Sequence, residues 1–342
     1  MCVCSVVRFR STVAIALAFA CGLPACGTPT PVAPTATAHA RASETSAASS
    51  ASSAAVPSPH LARITIARSD IELPWARSRA VALAFGSAIL LCGGLASDGT
   101  TSGLIVRIDL QSARASVIGA LAAPVHDAGA AVLGGSGFIF GGGAAAPSSV
   151  AQRVGATGAS SIVGELPAGR ADLASAAVDG ELIVVGGGTP ARDDAHVLAT
   201  TDGHTFRLVT LLDVGVRYPA VAVSGGLVYV IGGRTDAEDS DAIQAVDPRG
   251  GATRIVGHLP HGLSHASAFV VGDALIVAGG RAGGVAQDAV WRIDLAHGSA
   301  TAVGRLPYRV SDMASAVVDG VAYLIGGEGS GPIASIVTVT MQ

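Results

Sequence analysis

The chain of 342 residues contains no lysine, so all of its basic residues are arginine. Charged residues make up only 13%, aromatic residues only 4%, and the net charge is −4. A weakly acidic chain without a basic run lacks the phosphate-neutralising surface that nucleic-acid binding needs, which excludes that class of partner. Half of the chain is hydrophobic. With so few aromatics, that mass is Ala, Val, Ile and Leu, side chains suited to close backbone packing. Of five cysteines, Cys2, Cys4, Cys21 and Cys26 lie at the amino terminus and only Cys92 lies in the body. No disulfide framework is available there. Between Leu91 and Gly93, Cys92 reads as a small buried hydrophobe. The body also shows no helical period.

Arg8 and Arg10 precede a largely apolar stretch, Ser11 to Ala25. It is shorter than the ~20 residues a membrane span requires and reads as an export signal. It ends in Leu23-Pro24-Ala25-Cys26-Gly27. This resembles the lipobox of a bacterial lipoprotein, which implies cleavage after residue 25 and lipidation of Cys26. Ala18-Phe19-Ala20-Cys21 offers a second such site, and an ordinary secretory signal cut after an alanine is the plainer alternative. Residues 26–60 are rich in Pro, Ala, Ser and Thr and hold almost no large apolar group. Such a segment cannot offset its ordering entropy by burial and reads as a disordered tether. The folded body is expected over 61–342.

A glycine doublet closing a short apolar run recurs six times in that body, as in Leu227–Gly233, LVYVIGG. The first useful glycines are Gly93, Gly141, Gly186, Gly232, Gly279 and Gly326, at intervals of 48, 45, 46, 47 and 47. Each unit opens with a proline turn (Pro74, Pro124, Pro167, Pro260, Pro307; Pro219 in the fourth) and continues with an Ala/Val run. A tight turn such as Asp179-Gly180 or Gly225-Gly226 leads into the run that ends in the doublet. A variable loop, a third run and a fourth run complete the unit. Four short strands in a period of ~45 residues, six times over, predict an all-β, six-bladed β-propeller.

The two ends of the body support that count. After Gly326 only one further strand fits, Ile333 to Thr340. Before Pro74 stands an orphan strand-like run, Arg63 to Ala67. One N-terminal and three C-terminal strands in a single blade close the ring and remove exposed edges. The doublets, the Ala/Val strands and the Leu-Pro turns over 61–342 resemble kelch repeats. The aromatics usual in that repeat are mostly absent: Ile108, Val246 and Ile293 stand where tyrosine is common, and Ala115 and Ala300 near the tryptophan place. The resemblance implies fold more than function, since this architecture hosts binding proteins, oxidases, epimerases and hydrolases.

In an up-and-down blade, the loops after the doublets and the turns before the first strands share one face. Counting eight residues back from each hairpin glycine gives Ser78, His126, Asp172, Arg217, Ser264 and Asp312. Counting seven back gives Arg79, Asp127, Leu173, Tyr218, His265 and Met313. Arg234, Arg281 and Glu328 follow doublets on the same face. The candidate ligand site is therefore Arg79, His126, Asp127, Asp172, Arg217, Arg234, His265, Arg281 and Asp312, at the mouth of the central channel. Arginine forks there suit carboxylates or hydroxyl-dense sugars. A wet channel mouth carries polar residues in any case, which is the bland alternative.

No cofactor is implied. His126, His261 and His265 with Asp127 or Asp172 lack short metal-ligand spacing. A copper-radical oxidase needs a cysteine beside a tyrosine, and Cys92 lies within a second strand. The run Asp236 to Asp241 reads as a solvated acidic loop, without the glycine and terminal glutamate of a calcium loop. The expectation is an exported, lipid-anchored monomer that binds a protein or glycan outside the cytoplasm. The alternative is a sugar epimerase- or mutarotase-like enzyme using acid–base chemistry at the channel mouth.

Overall fold

The computed structural model describes residues 63–189 and 192–342. The export signal, Cys26 and the tether lie outside the described residues. The described chain forms six antiparallel sheets, each with four main strands, arranged as the blades of a β-propeller; Arg192–Asp193 adds a short fifth strand to the third, and Arg281–Ala282 with Val285–Ala286 form a separate small hairpin. Successive blades pack side by side in sequence order, and the sixth packs on the first.

Blade 1 runs from its innermost strand Val81–Phe85 through Ala88–Cys92 and Leu104–Asp109 to Arg114–Ala120. The innermost strands of blades 2 to 6 are Gly129–Leu133, Ala171–Val178, Ala220–Ser224, Ser267–Val271 and Ala314–Val318. Each lies at the end of its sheet, hydrogen-bonded on one edge only. Side chains on its two faces turn toward the two neighbouring blades. Ala and Val dominate there because six strands converge on one axis and leave no room for bulk. The doublet-bearing second strands are apolar along their central residues because both faces are covered, and Ala88–Cys92 and Ala274–Ala278 are buried throughout.

Six hydrophobic clusters hold the ring together, one at each interface. Leu83 and Leu90 of blade 1 meet Ile139 and Val154 of blade 2. Ile325 and Ile336 of blade 6 meet Ile89 and Leu91 of blade 1, so the seam is as well packed as the other interfaces. Cys92 is a free, fully buried thiol in the first of these clusters, as expected. Burial pushes its pKa up to about 12, so it stays an inert thiol.

Blade 6 closes the propeller. Its third strand Ser335–Met341 pairs on its outer side with the first strand of the body, Ile64–Glu72, from Ile64 opposite Met341 to Glu72 opposite Ser335. This is the closure the sequence ends imply. The N-terminal strand runs further than the expected Arg63 to Ala67 because an irregularity between Arg68 and Glu72 lets it follow the rim before it turns inward.

The doublets act where blades touch. Both glycines of all six have positive φ, the first between 60° and 68°. The N–H of each second glycine donates to a carbonyl of the next blade: Gly94 to Val125, Gly142 to Arg170, Gly187 to Val216, Gly233 to Leu263, Gly280 to Val310 and Gly327 to Arg77. A Cβ on the first glycine would collide with that same carbonyl oxygen. Two requirements therefore select glycine: a left-handed backbone and a close approach.

Candidate functional site

A second set of bonds lies inside the first, around the channel axis. The N–H of Asp127 donates to the carbonyl of Arg79, Asp172 to Asp127, Tyr218 to Asp172, His265 to Tyr218, Asp312 to His265 and Arg79 to Asp312, at 2.7–3.0 Å. The six form a closed backbone cycle, one residue from each blade. All six are left-handed, with φ between 52° and 63°. Glycine is the default in that region, yet each position carries a polar side chain.

These six are the inner set, and they correct the expected register. Seven back from the hairpin holds in blades 1, 2, 4 and 5. In blades 3 and 6 the first left-handed turn residue is Asp179 or Asp319, one before the glycine used for counting. Asp172 and Asp312 therefore join Arg79, Asp127, Tyr218 and His265. Leu173 and Met313 stand one step further along the innermost strands, and Ala171 and Ser311 take the outer places beside Ser78, His126, Arg217 and Ser264. The chain has no asparagine, the usual non-glycine occupant of such turns, and aspartate fills that role.

The ring and the residues after it enclose a space of about 100 Å³. Arg79 is its one guanidinium. Its Nη1 donates to Asp127 Oδ2 at 3.0 Å, while Nε, without a hydrogen bond, is 3.5 Å from Glu328 Oε2 and 3.9 Å from Asp312 Oδ1. Burial opposes its charge, but Asp127 and Asp312 outweigh that and raise its pKa. Asp127 is itself buried. Loss of hydration lifts its carboxyl to about 7 against the pull of Arg79, with Asp172 and Asp312 adding like-charge repulsion. Asp172 is raised chiefly by burial and accepts the Tyr218 hydroxyl. The Tyr218 ring stacks on His265 at 3.7 Å between centroids. Burial lowers His265 to about 4, so it is neutral, with Nδ1 2.8 Å from Ser264 Oγ.

Outside the ring the candidate residues separate. Arg281 Nη2 reaches Asp312 Oδ2 at 3.3 Å and Glu328 Oε1 at 3.2 Å, so it belongs to the ring network. His126 lies beside it, with Nε2 3.9 Å from Asp127 Oδ2 and Nδ1 2.9 Å from Thr101 Oγ1. Arg217 turns to Asp193 at 2.7 Å and Asp236 at 3.6 Å, and Arg234 to Asp239 at 3.5 Å. Each of these arginines thus already has a carboxylate partner. The acidic loop is only partly solvated. Asp236 is exposed, but the Asp239 carboxylate is buried and accepts the N–H of Gly283 from blade 5. His261 packs edge-on against Trp291 rather than joining the other histidines.

Tyr218 and Glu328 are not in the candidate set, although the sequence places both on this face. Their signal was position alone: Tyr218 by the seven-back count, Glu328 directly after a doublet. Below the ring the channel continues between the innermost strands as a space of about 570 Å³. No protein-family model matches the chain, and no curated protein matches it either. The class that fold and site define is a six-bladed β-propeller with a polar ring at its channel mouth.

Proposed function

We propose that this protein is an exported, lipid-anchored β-propeller that acts as a binding module outside the cytoplasm and holds a neutral, hydroxyl-rich glycan at its channel mouth. The observation that carries the reading is the ring itself. Six polar side chains occupy left-handed positions where each costs about 1–2 kcal/mol relative to glycine. Strain kept at every blade of one face points to a use for those side chains.

The ring offers both donors and acceptors in a partly dried space: Arg79 Nε, neutral His265, and the Asp172–Tyr218 pair. Sugar hydroxyls, which donate and accept, suit such a set. A carboxylate ligand suits it less, because the arginines of the face already have acidic partners. The kelch-like grammar of the repeats agrees with a binding role, and the lipobox-like Leu23–Cys26 agrees with a tethered, extracytoplasmic one.

Thermal-shift and calorimetric screening against neutral glycans tests the site. A neutral glycan should raise the melting temperature of the folded body, and D172N and R79A should abolish the shift. Shifts that survive both substitutions, or that appear only with uronic acids, overturn it. Mass spectrometry of the mature protein should find a diacylated Cys26 at the amino terminus; a free alanine or threonine there overturns the anchor.

A second reading, acid–base chemistry on the bound sugar, rests on Asp127, whose pKa near 7 lets it both give and take a proton at neutral pH. Incubation of a bound sugar in heavy water should then place deuterium on a sugar carbon, and D127N should stop it. No label, and no acceleration of anomer interconversion by NMR, with a glycan that demonstrably binds leaves the protein a pure binding module.

A further inference from the structure

The channel wall has a chemistry that its Ala/Val side chains hide. Each innermost strand ends a sheet, so among the described residues no strand pairs with its inner edge. In each two-residue hairpin the strand residue flanking the turn pairs directly with its partner, as Phe85 does with Ala88. Hydrogen-bonded pairs then alternate along the strand. In blade 1 this turns Val81, Leu83 and Phe85 toward the second strand and the backbone groups of Ala80, Ala82 and Ala84 toward the axis. The same parity in every blade gives three tiers of six residues. The middle tier is Ala82, Ala130, Ser175, Val221, Ala268 and Ser315, and residues of all three tiers line the channel. The wall is therefore a set of six free strand edges around about 570 Å³.

Free edges accept extended chains. Five strand residues give a depth of about 17 Å, so the centres of water molecules have a cross-section of roughly 35 Å², and the bore between atom surfaces is wider by a water radius all round. One chain in stacked sheets occupies about 48 Å² with ordinary side chains. The channel thus has room for one strand of small residues. At its ring end, the four carboxylates Asp127, Asp172, Asp312 and Glu328 stand against the two guanidinium groups of Arg79 and Arg281, an excess of acid.

We propose that the central channel is a second binding site, for an extended peptide of about five small residues (Gly, Ala, Ser) whose free amino terminus meets the underside of the carboxylate ring. Backbone pairing to the inner edges supplies affinity, and the narrow bore selects against large side chains. The site is entered from the hairpin face and shares only the carboxylate ring with the glycan reading.

The chain itself supplies a mild probe. Pro219 already occupies an axis-facing position, where the missing N–H costs no ladder bond. Calorimetry with pentaalanine, N-acetyl-pentaalanine and Ala-Ala-Phe-Ala-Ala on the folded protein tests the proposal. Pentaalanine should bind. Acetylation should weaken it by about tenfold or more, as loss of a charge-assisted contact does, and the central Phe should abolish it. A82P, or A130P where the first variant melts early, should weaken pentaalanine several-fold at an unchanged melting temperature. No heat from pentaalanine at millimolar concentration, equal affinity after acetylation, or binding of cellopentaose in its place overturns the proposal. Neutral glycans are titrated in separate runs: A82P or A130P should leave glycan binding at the ring unchanged, so loss of peptide binding alone refers to the channel.

Discussion

The guanidinium carbon of Arg79, from blade 1, lies 5.9 Å from the ring centroid of Tyr218, which belongs to the blade directly opposite. An arginine of one wall thus reaches across the axis to the far wall. On its way it bonds Asp127, and Tyr218 is stacked in turn on His265. The mouth of the channel is one connected network, and the predictions follow from its parts.

Two ring residues titrate in opposite senses. Asp127 has a raised pKa, about 7, so its contribution to stability is fully present below about pH 4 and lost as pH rises through 7. His265 has a depressed pKa, about 4, so its contribution is present above about 6.5 and lost as pH falls through 4. Between these limits the two oppose each other. Relative to the parent, D127N should gain about 3 kcal/mol of stability from pH 4.5 to 7, and H265Q should lose a similar amount. Urea unfolding across that window measures both. A D127N difference that does not change with pH shows that Asp127 ionises freely in the fold.

The left-handed ring reverses the usual ranking of alanine over glycine in strands. Y218A and Y218G both remove the Asp172 bond and the His265 stack, but only glycine relieves φ. Y218G should be the more stable by about 1 kcal/mol, read as a difference in chemical denaturation midpoints. Alanine equal to or better than glycine would mean that position 218 is not held left-handed in solution.

Glycines of the doublets should respond differently from glycines of the hairpins. G326A drives a Cβ into the Arg77 carbonyl and should cost about 3 kcal/mol or more, combining backbone strain with overpacking. G135A, where an added Cβ meets nothing within 4 Å, should cost only about 1–2 kcal/mol. Equal losses would remove the close inter-blade approach from the account.

Deleting Ile64–Glu72 strips blade 6 of its outermost strand and bares Ser335–Met341. Aggregation in sedimentation runs or a drop in melting temperature of several degrees is expected. An unchanged melt would show that the ring holds without its terminal clasp.

Much of this was legible in the chain. The spacing of Gly93 through Gly326 shows the blade count, and the leftover strands show the closure, because both follow from local chain direction and length. The ring register was only partly legible. Asp179-Gly180 and Asp319-Gly320 look like hairpins whose landmark is the glycine, but the first left-handed residue is the aspartate, which moved Asp172 and Asp312 by one place. The reach of Arg79 to Tyr218 was not legible at all. It depends on a rotamer crossing between blades 139 residues apart in sequence, and no local pattern encodes it. The same holds for Asp239, which reads as one acid among several until Gly283 of the next blade is seen to donate to it.

The two hydrogen-bonded circles that join the blades, one through the doublets and one through the left-handed residues, are made of main-chain atoms alone. Their geometry does not depend on which side chains the inner six carry. The mouth is therefore a socket with six interchangeable pins. Any one can be replaced without removing a main-chain bond of either circle, so a lineage can retune what this face recognises while the frame beneath stays as it is.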